Sequence, residues 1–271
     1  MPTINTNVNA LFAQNALKVN DRSLTKAMQQ LSTGSRVNSS GDDAAGLAIG
    51  TSMTAQIRGL NMAVRNANDG ISMLQTAEGA MVEQTNMLQR MRELAVQATT
   101  ATYNTTQLGY LDTEFQALDT QINNIASNTK WNGTVLMSAA TTQTFVVGSA
   151  GTETITVALA ATDTTTGLAT TSLAVTTSTL AATAITNIDS ALASISSARA
   201  KIGAGINQLT YAADNLTNVS QNLTASRSQI MDTDYATATT QLARSQIIQQ
   251  AATAMLAQAN QQPQTVLALL K

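Results

Sequence analysis

The sequence predicts a mainly α protein, with long coiled-coil helices formed by the N- and C-terminal regions and a small β-hairpin region in the middle. Three observations point there. Apolar residues recur at spacings of three and four over two extended stretches, one on each side of the centre. The 271 residues include only two prolines, Pro2 and Pro263, both near the ends, so no proline breaks an interior helix. Between the stretches lies a Thr-rich segment that alternates with period two. With 44% apolar residues but 3% aromatics, the core is built from Leu, Ile, Val, Met and Ala, which suits helix-on-helix packing.

Taken in order, the first segment carries Ala10, Leu17, Leu24 and Leu31 seven residues apart, with Ile4, Val8, Leu11 and Met28 widening the stripe. The 3-4 pattern then reads Ile57, Leu60, Val64, Ala67, Ile71, Leu74, Glu78, Met81, Thr85, Leu88, Arg92 and Ala95, most of them apolar. Leu111, Phe115, Leu118, Ile122 and Ile125 mark a shorter helix, with Asp112 placed to cap its start. It is expected to fold back antiparallel across a loop containing Asn104, Thr105 and Thr106. Residues 138–183 are rich in Thr, Ala and Ser, and no Lys or Arg occurs between Lys130 and Arg199. Here Phe145, Val146 and Val147, then Gly148-Ser149-Ala150-Gly151, then alternating Ile155, Val157 and Leu159 read as a β-hairpin. The remainder to Thr183 reads as loop or weak strand.

The second long pattern runs Ile185, Ile188, Leu192, Ile195, Arg199, Ile202, Ile206, Leu209, Ala213, Leu216, Ser220, Leu223, Arg227 and Ile230. A repeat kept this long turns one seam to a partner and implies a left-handed supercoil between two helices of about 40 residues each. Near the far end, Ile248, Ala252, Met255 and Ala259 follow a 4-3-4 spacing, and Val266, Leu267, Leu269 and Leu270 stay apolar.

Composition excludes whole classes of function. Without His or Cys there is no zinc site of the usual ligand type, no Cys nucleophile, no disulfide and no His-based triad. The absence of Cys also makes the chain indifferent to thiol redox poise. A net charge of -2 offers no polycation for nucleic acid or an acidic membrane. No apolar run approaches the roughly 18–20 residues that cross a bilayer. The start, Met1-Pro2-Thr3-Ile4, lacks a basic region followed by an apolar block, so no cleaved secretory signal is expected. Asp42-Asp43 and Asp232-Thr233-Asp234 suit helix capping and turns better than acid–base chemistry. Gly203-Ala204-Gly205 lacks the third glycine of a phosphate loop and is either incidental or a site of close helix approach. The expectation is a protein with no catalytic residues, no metal and no cofactor.

The ends carry a separate argument. Burying Ile4, Val8, Leu11, Leu17, Leu24, Met28 and Leu31 stabilises less than the conformational entropy of ordering about thirty residues costs. Pairing with the C-terminal segment still leaves outer faces wet. These ends are therefore expected to order only when neighbouring copies cover them, which couples folding to association and points to a polymer.

Several of these residues resemble a known family. The stretches Ile4-Asn5-Thr6-Asn7, Leu31-Ser32-Thr33-Gly34-Ser35-Arg36-Val37-Asn38-Ser39, Asp42-Asp43-Ala44-Ala45-Gly46-Leu47-Ala48-Ile49 and Ala67-Asn68-Asp69-Gly70-Ile71-Ser72 are similar to the N-terminal region of bacterial flagellin. Ser226-Arg227-Ser228-Gln229-Ile230, Asp234-Tyr235-Ala236, Leu256-Ala257-Gln258-Ala259-Asn260-Gln261 and the final Val266-Leu267-Ala268-Leu269-Leu270-Lys271 resemble its C-terminal region. The resemblance implies a flagellar filament subunit of a short form that lacks the outer variable domains. It further implies an inner terminal coiled coil from 1–46 with 231–271, disordered in the monomer, and a long-helix core from 47–137 with 184–230. Residues 138–183 would be the Thr-rich hairpin and loop part of that core. Assembly contacts would fall on Ile4, Val8, Leu11, Leu17, Leu24, Met28, Leu31, Ile248, Met255, Val266, Leu269 and Leu270.

The family resemblance also implies type III export to an extracellular flagellum. The implied partners are further copies of the chain, an export chaperone, and cap and hook-associated proteins. The segment from Leu88 to Gln97 resembles the one read by the host's Toll-like receptor 5. That implies recognition at Gln89, Arg90, Leu94 and Gln97, with Glu114 on the neighbouring helix, and subunit contacts at Ile188 and Leu192. Packing one subunit on the next is the primary role of such residues. The competing reading within the same export system is a hook–filament junction protein.

Overall fold

The computed structural model describes residues 7–269, with side chains described through Gln261. Ile4 and Leu270 lie outside the described residues, as do the side chains of Val266 and Leu269. Among the described residues, five helices and two short hairpins follow in chain order: α1 (Val8–Thr33), α2 (Ala44–Ala98), α3 (Thr105–Asn128), β1 (Lys130–Trp131), β2 (Thr134–Val135), β3 (Thr141–Val146), β4 (Thr154–Leu159), α4 (Ser178–Met231) and α5 (Tyr235–Leu269). The chain divides into two compact units, Met1–Ala55 with Asn222–Lys271, and Gln56–Gln221. No helix among the described residues is long and apolar enough to cross a membrane.

In the Gln56–Gln221 unit, α4 runs antiparallel to α2. Ser220 Oγ donates to Asn61 Oδ1 at 3.0 Å, Arg199 pairs with Glu78 and Arg92 with Asp189. The helices α2 and α4 have 55 and 54 residues, longer than the forty expected. The heptad spacing marks where a helix packs, not where it ends, and no proline stops either one.

The buried stripe of α2 is Leu60, Ala63, Ala67, Gly70, Leu74, Ala77, Met81, Gln84, Leu88, Met91, Ala95 and Ala98. Leu60, Ala67, Leu74, Met81, Leu88 and Ala95 belong to the pattern read from the sequence. The alternate positions of that pattern, Ile57, Val64, Ile71, Glu78 and Thr85, are half-buried flanks, and Arg92 is exposed. On α4 the stripe is Ala181, Ala184, Ile188, Ala191, Ile195, Ala198, Ile202, Gly205 and Leu209, while the expected Ile185, Leu192, Arg199 and Ile206 flank it. From Gly205 the spacing slips to 4-4-3 through Leu209, Ala213 and Leu216, one residue more than the strict repeat, and this brings the expected register into agreement from Leu209 through Ser220.

Two glycines in these seams have a physical reason: the hairpin presses against them. A Cβ on Gly70 would lie 2.7 Å from the Phe145 ring, and one on Gly205 would lie 2.6 Å from Val157 Cγ2. The β3–β4 hairpin, with Phe145 opposite Ile155 and Gln143 opposite Val157, thus seats on both helices. Gly205 is a site of close approach, and Gly203 meets nothing.

Helix α3 returns antiparallel to α2, as Gln84 Nε2 donates to Ile122 O at 3.2 Å and Arg90 reaches Glu114. Its start differs from the expectation. Asn104 caps it through a reciprocal pair with Gln107, at 2.9 and 3.0 Å. Asp112 lies two turns inside and accepts the Val175 N–H at 2.8 Å. Gln116 donates to Leu173 O and Thr170 donates to Asp119, so one face of α3 straps down the loop after β4. Burial raises the Asp119 carboxyl above its usual range, opposed by the Thr170 hydrogen bond. The loop also closes on itself around Asp163, which accepts from the hydroxyls of Thr165 and Thr166 and from the Thr166 and Gly167 N–H groups.

Candidate assembly surfaces

In the unit formed by the two ends, α1 and α5 pair antiparallel. Asn7 Nδ2 donates to Ala259 O at 2.8 Å, Asn20 Nδ2 to Ser245 O at 2.7 Å, and Gln249 to Asp21 at 3.2 Å. The seam on α1 is Ala10, Ala13, Leu17, Asn20, Leu24, Ala27 and Leu31, and the facing seam on α5 is Ala238, Leu242, Ser245, Gln249, Ala252, Leu256 and Ala259. Among the described residues of this pair, Asn20, Ala27, Ala238 and Ser245 are the ones fully buried, and none carries a large hydrocarbon. Leu17, Leu24 and Leu31 are half-buried.

The rest of the apolar surface points elsewhere. Val8, Leu11 and Met28, expected in the terminal seam, are exposed, together with Phe12 (71%) and Val19. On α5, Ile248 and Met255 turn outward with Ile247. Phe12 borders two open grooves of 660 and 600 Å³, reaching Val19 and Ile248 in one and Met255 and Ala252 in the other. Phe12, Val19 and Ile247 were missed by the sequence reading because they fall off the heptad positions.

The two breaks between helices within this unit meet as one joint. Arg36 N–H donates to Met231 O at 2.6 Å, Thr233 N–H donates to Gly34 O at 2.9 Å, and Ser35 bridges Asp232. Gly34 ends α1 at φ 70°, a left-handed conformation that favours glycine. Asp43 caps α2 through the Gly46 N–H and Asp234 caps α5 through the Ala236 N–H. Asp42 pairs with Lys26 at 2.9 Å and accepts the Asn38 and Ser39 N–H groups, which holds its carboxyl at about 2.

A second surface lies on α2 and α3. Gln89, Arg90, Gln97 and Glu114 are exposed. Arg90 bridges Glu93 and Glu114, both at 3.0 Å, and these partners raise its guanidinium pKa further. Arg92 holds Asp189 at 2.7 Å, and Gln97 donates to the Tyr103 hydroxyl at 2.9 Å. Leu192 is half-buried, whereas Leu94 and Ile188 are fully buried. Those two side chains hold the helices together and present nothing to a partner in this conformation. Asp189 and Tyr103 are neighbours that the sequence reading did not single out.

Both ends of the chain match family models. Residues 4–142 match the bacterial flagellin N-terminal helical region, and residues 185–270 match the C-terminal helical region. The chain belongs to the bacterial flagellin family. Among its flagellin relatives, Flagellin A of Vibrio anguillarum is 49% identical over 138 residues, which is 51% of this chain and 36% of that protein. This chain thus spans little more than a third of the curated relatives it matches. The crystal structure of Bacillus cereus flagellin superposes with a TM-score of 0.51 at 32% identity, covering 60% of this chain and 94% of the other. A Vibrio parahaemolyticus chain assigned as a flagellar hook-associated protein shares the fold, with a TM-score of 0.58 at 11% identity, over 70% of this chain and all of that one. The flagellin matches leave out residues 143–184, the stretch that holds most of the β3–β4 hairpin and the strapped loop.

Proposed function

We propose that this chain is a structural subunit that polymerises into the bacterial flagellar filament used for swimming. The α1–α5 pair carries the reading. It buries little hydrocarbon against itself and leaves Val8, Leu11, Phe12, Val19, Ile248 and Met255 for neighbours to cover. In this reading the terminal helices (1–46 with 231–271) line the inside of the polymer, 47–137 with 184–230 form the next layer, and 138–183 form its hairpin and loop part, of which the residues from Ser178 on are already helix α4. The ends order on assembly. A head-to-tail contact whose rotation does not close yields an open helical polymer.

The chain leaves the cell by type III export as an unfolded thread and works outside it. An export chaperone, a cap protein and hook-associated proteins handle it. Gln89, Arg90, Gln97, Glu114 and Leu192 form the outer subunit contact, with Leu94 and Ile188 supporting them from beneath. The same patch in the free subunit is what the host's Toll-like receptor 5 reads. No catalysis is part of the role. The matches to flagellins favour a filament subunit over a hook–filament junction protein, and counting copies per filament by quantitative electrophoresis separates the two.

The test is truncation. Deleting 1–35 or 240–271 is expected to leave a soluble, helical protein that does not grow on filament seeds. Normal filaments from either truncated chain would contradict the reading.

A further inference from the structure

Sulfur in this chain resides in eleven methionines, since Cys is absent. Their environments differ, and among the described residues Met53, Met87 and Met231 are half-buried. Met73, Met81, Met91 and Met137 are buried in the Gln56–Gln221 unit. Met28, Met62 and Met255 are 56%, 48% and 66% exposed. Two of those three, Met28 and Met255, lie on the α1–α5 pair, and Met255 lines a groove beside Phe12.

We propose that Met28 and Met255 are oxidation sites through which a peroxide-class oxidant blocks assembly of the free subunit. This rests on the filament reading above. In the reaction the thioether sulfur attacks one peroxide oxygen and the O–O bond breaks. Sulfur gains that oxygen as a sulfoxide, and the peroxide is reduced to water. The product is a polar acceptor with no donor of its own. Covering it with a neighbour's hydrocarbon desolvates it without a partner, whereas the thioether it replaces is covered at no such cost. The core methionines are shielded and keep their packing, so oxidation disables the assembly face while leaving the Gln56–Gln221 unit folded. Neighbours that cover Met28 and Met255 in the polymer also protect them there.

The test treats the purified full chain with hydrogen peroxide, maps added oxygen by peptide mass spectrometry, and follows growth on fragments of filaments of the same chain. Met28, Met62 and Met255 are expected to gain oxygen first, and seeded growth is expected to fall roughly tenfold or more. M28L/M255L, which keeps volume and apolarity, is expected to grow normally and to resist the oxidant, while M62L is expected to give no rescue. In preassembled filaments Met28 and Met255 are expected to oxidise more slowly. Undiminished growth with Met255 oxidised, or no rescue by M28L/M255L, overturns this inference alone. Failure of the untreated chain to grow on seeds overturns the filament reading and this inference with it.

Discussion

Gly203 and Gly205 stand two positions apart on α4, and their surroundings give their substitutions opposite signs. Gly203 faces open space, so G203A gains helix propensity and is expected to raise stability by about 0.5–1 kcal/mol. Gly205 abuts Val157, so G205A drives a methyl into the hairpin and is expected to lower stability by about 1–3 kcal/mol. Urea midpoints of the two variants check both. Asp42 supplies a second test at this scale. The Lys26 ammonium is the largest influence on its carboxyl, burial works against it, and the Asn38 and Ser39 N–H groups add to it; the result is about 2 against the ordinary 3.8. A lowered folded pKa means that the contribution is complete above pH 3.8 and is lost as pH falls through about 2. K26M is expected to return the Asp42 carboxyl toward its ordinary value in a carbon NMR titration. Which of Gly203 and Gly205 marks a close approach was not legible in the sequence, because that depends on where Val157 lands.

At the scale of the element, helix identity was legible and helix facing only half so. Spacing found Leu60, Leu74, Met81 and Leu88 on α2, and Ile188, Ile195 and Ile202 on α4. It missed the intervening buried Ala63, Gly70, Ala77, Ala191, Ala198 and Gly205, of which Gly70 and Gly205 leave room for the hairpin's Phe145 and Val157. The bulky residues read in their place flank the seam. The same bias put Ile248 and Met255 in the α5 seam, which Gln249 and Leu256 occupy instead. The Asn132-Gly133 turn between β1 and β2, with φ of 47° and 83°, carries a hairpin signal that strands of two residues are too short to announce. Helix α3 offers two tests. N104A removes its cap and is expected to cost about 1 kcal/mol by urea denaturation. D112A leaves the helix start intact but releases the strapped loop. It is expected to cost about 1–2 kcal/mol locally, seen as faster hydrogen exchange at the Val175 amide with α3 protection unchanged.

For the whole molecule, the contrast between the two units matters most. Within Gln56–Gln221, large side chains such as Phe115, Leu74, Met81, Ile122 and Ile195 are fully buried. The α1–α5 pair closes instead on Asn20, Ala27, Ala238 and Ser245, with Phe12 and Met255 left facing water. Hydrocarbon burial is the main driving force for folding, so the two units differ in how far each stands alone. The polymer reading follows from that difference: the ends carry apolar surface that their own chain does not cover. The sequence displayed the surplus of apolar positions at both ends. It did not display which of them face the partner helix, since α1 and α5 each carry apolar residues on more than one side. The most direct test is amide hydrogen exchange on the isolated chain and on filaments grown from it. Residues 8–33 and 235–261 are expected to exchange quickly in the isolated chain and at least roughly a hundredfold more slowly in filaments, with 60–98 and 181–220 protected in both. Strong protection of both ends in the isolated chain, unchanged on assembly, would contradict the account.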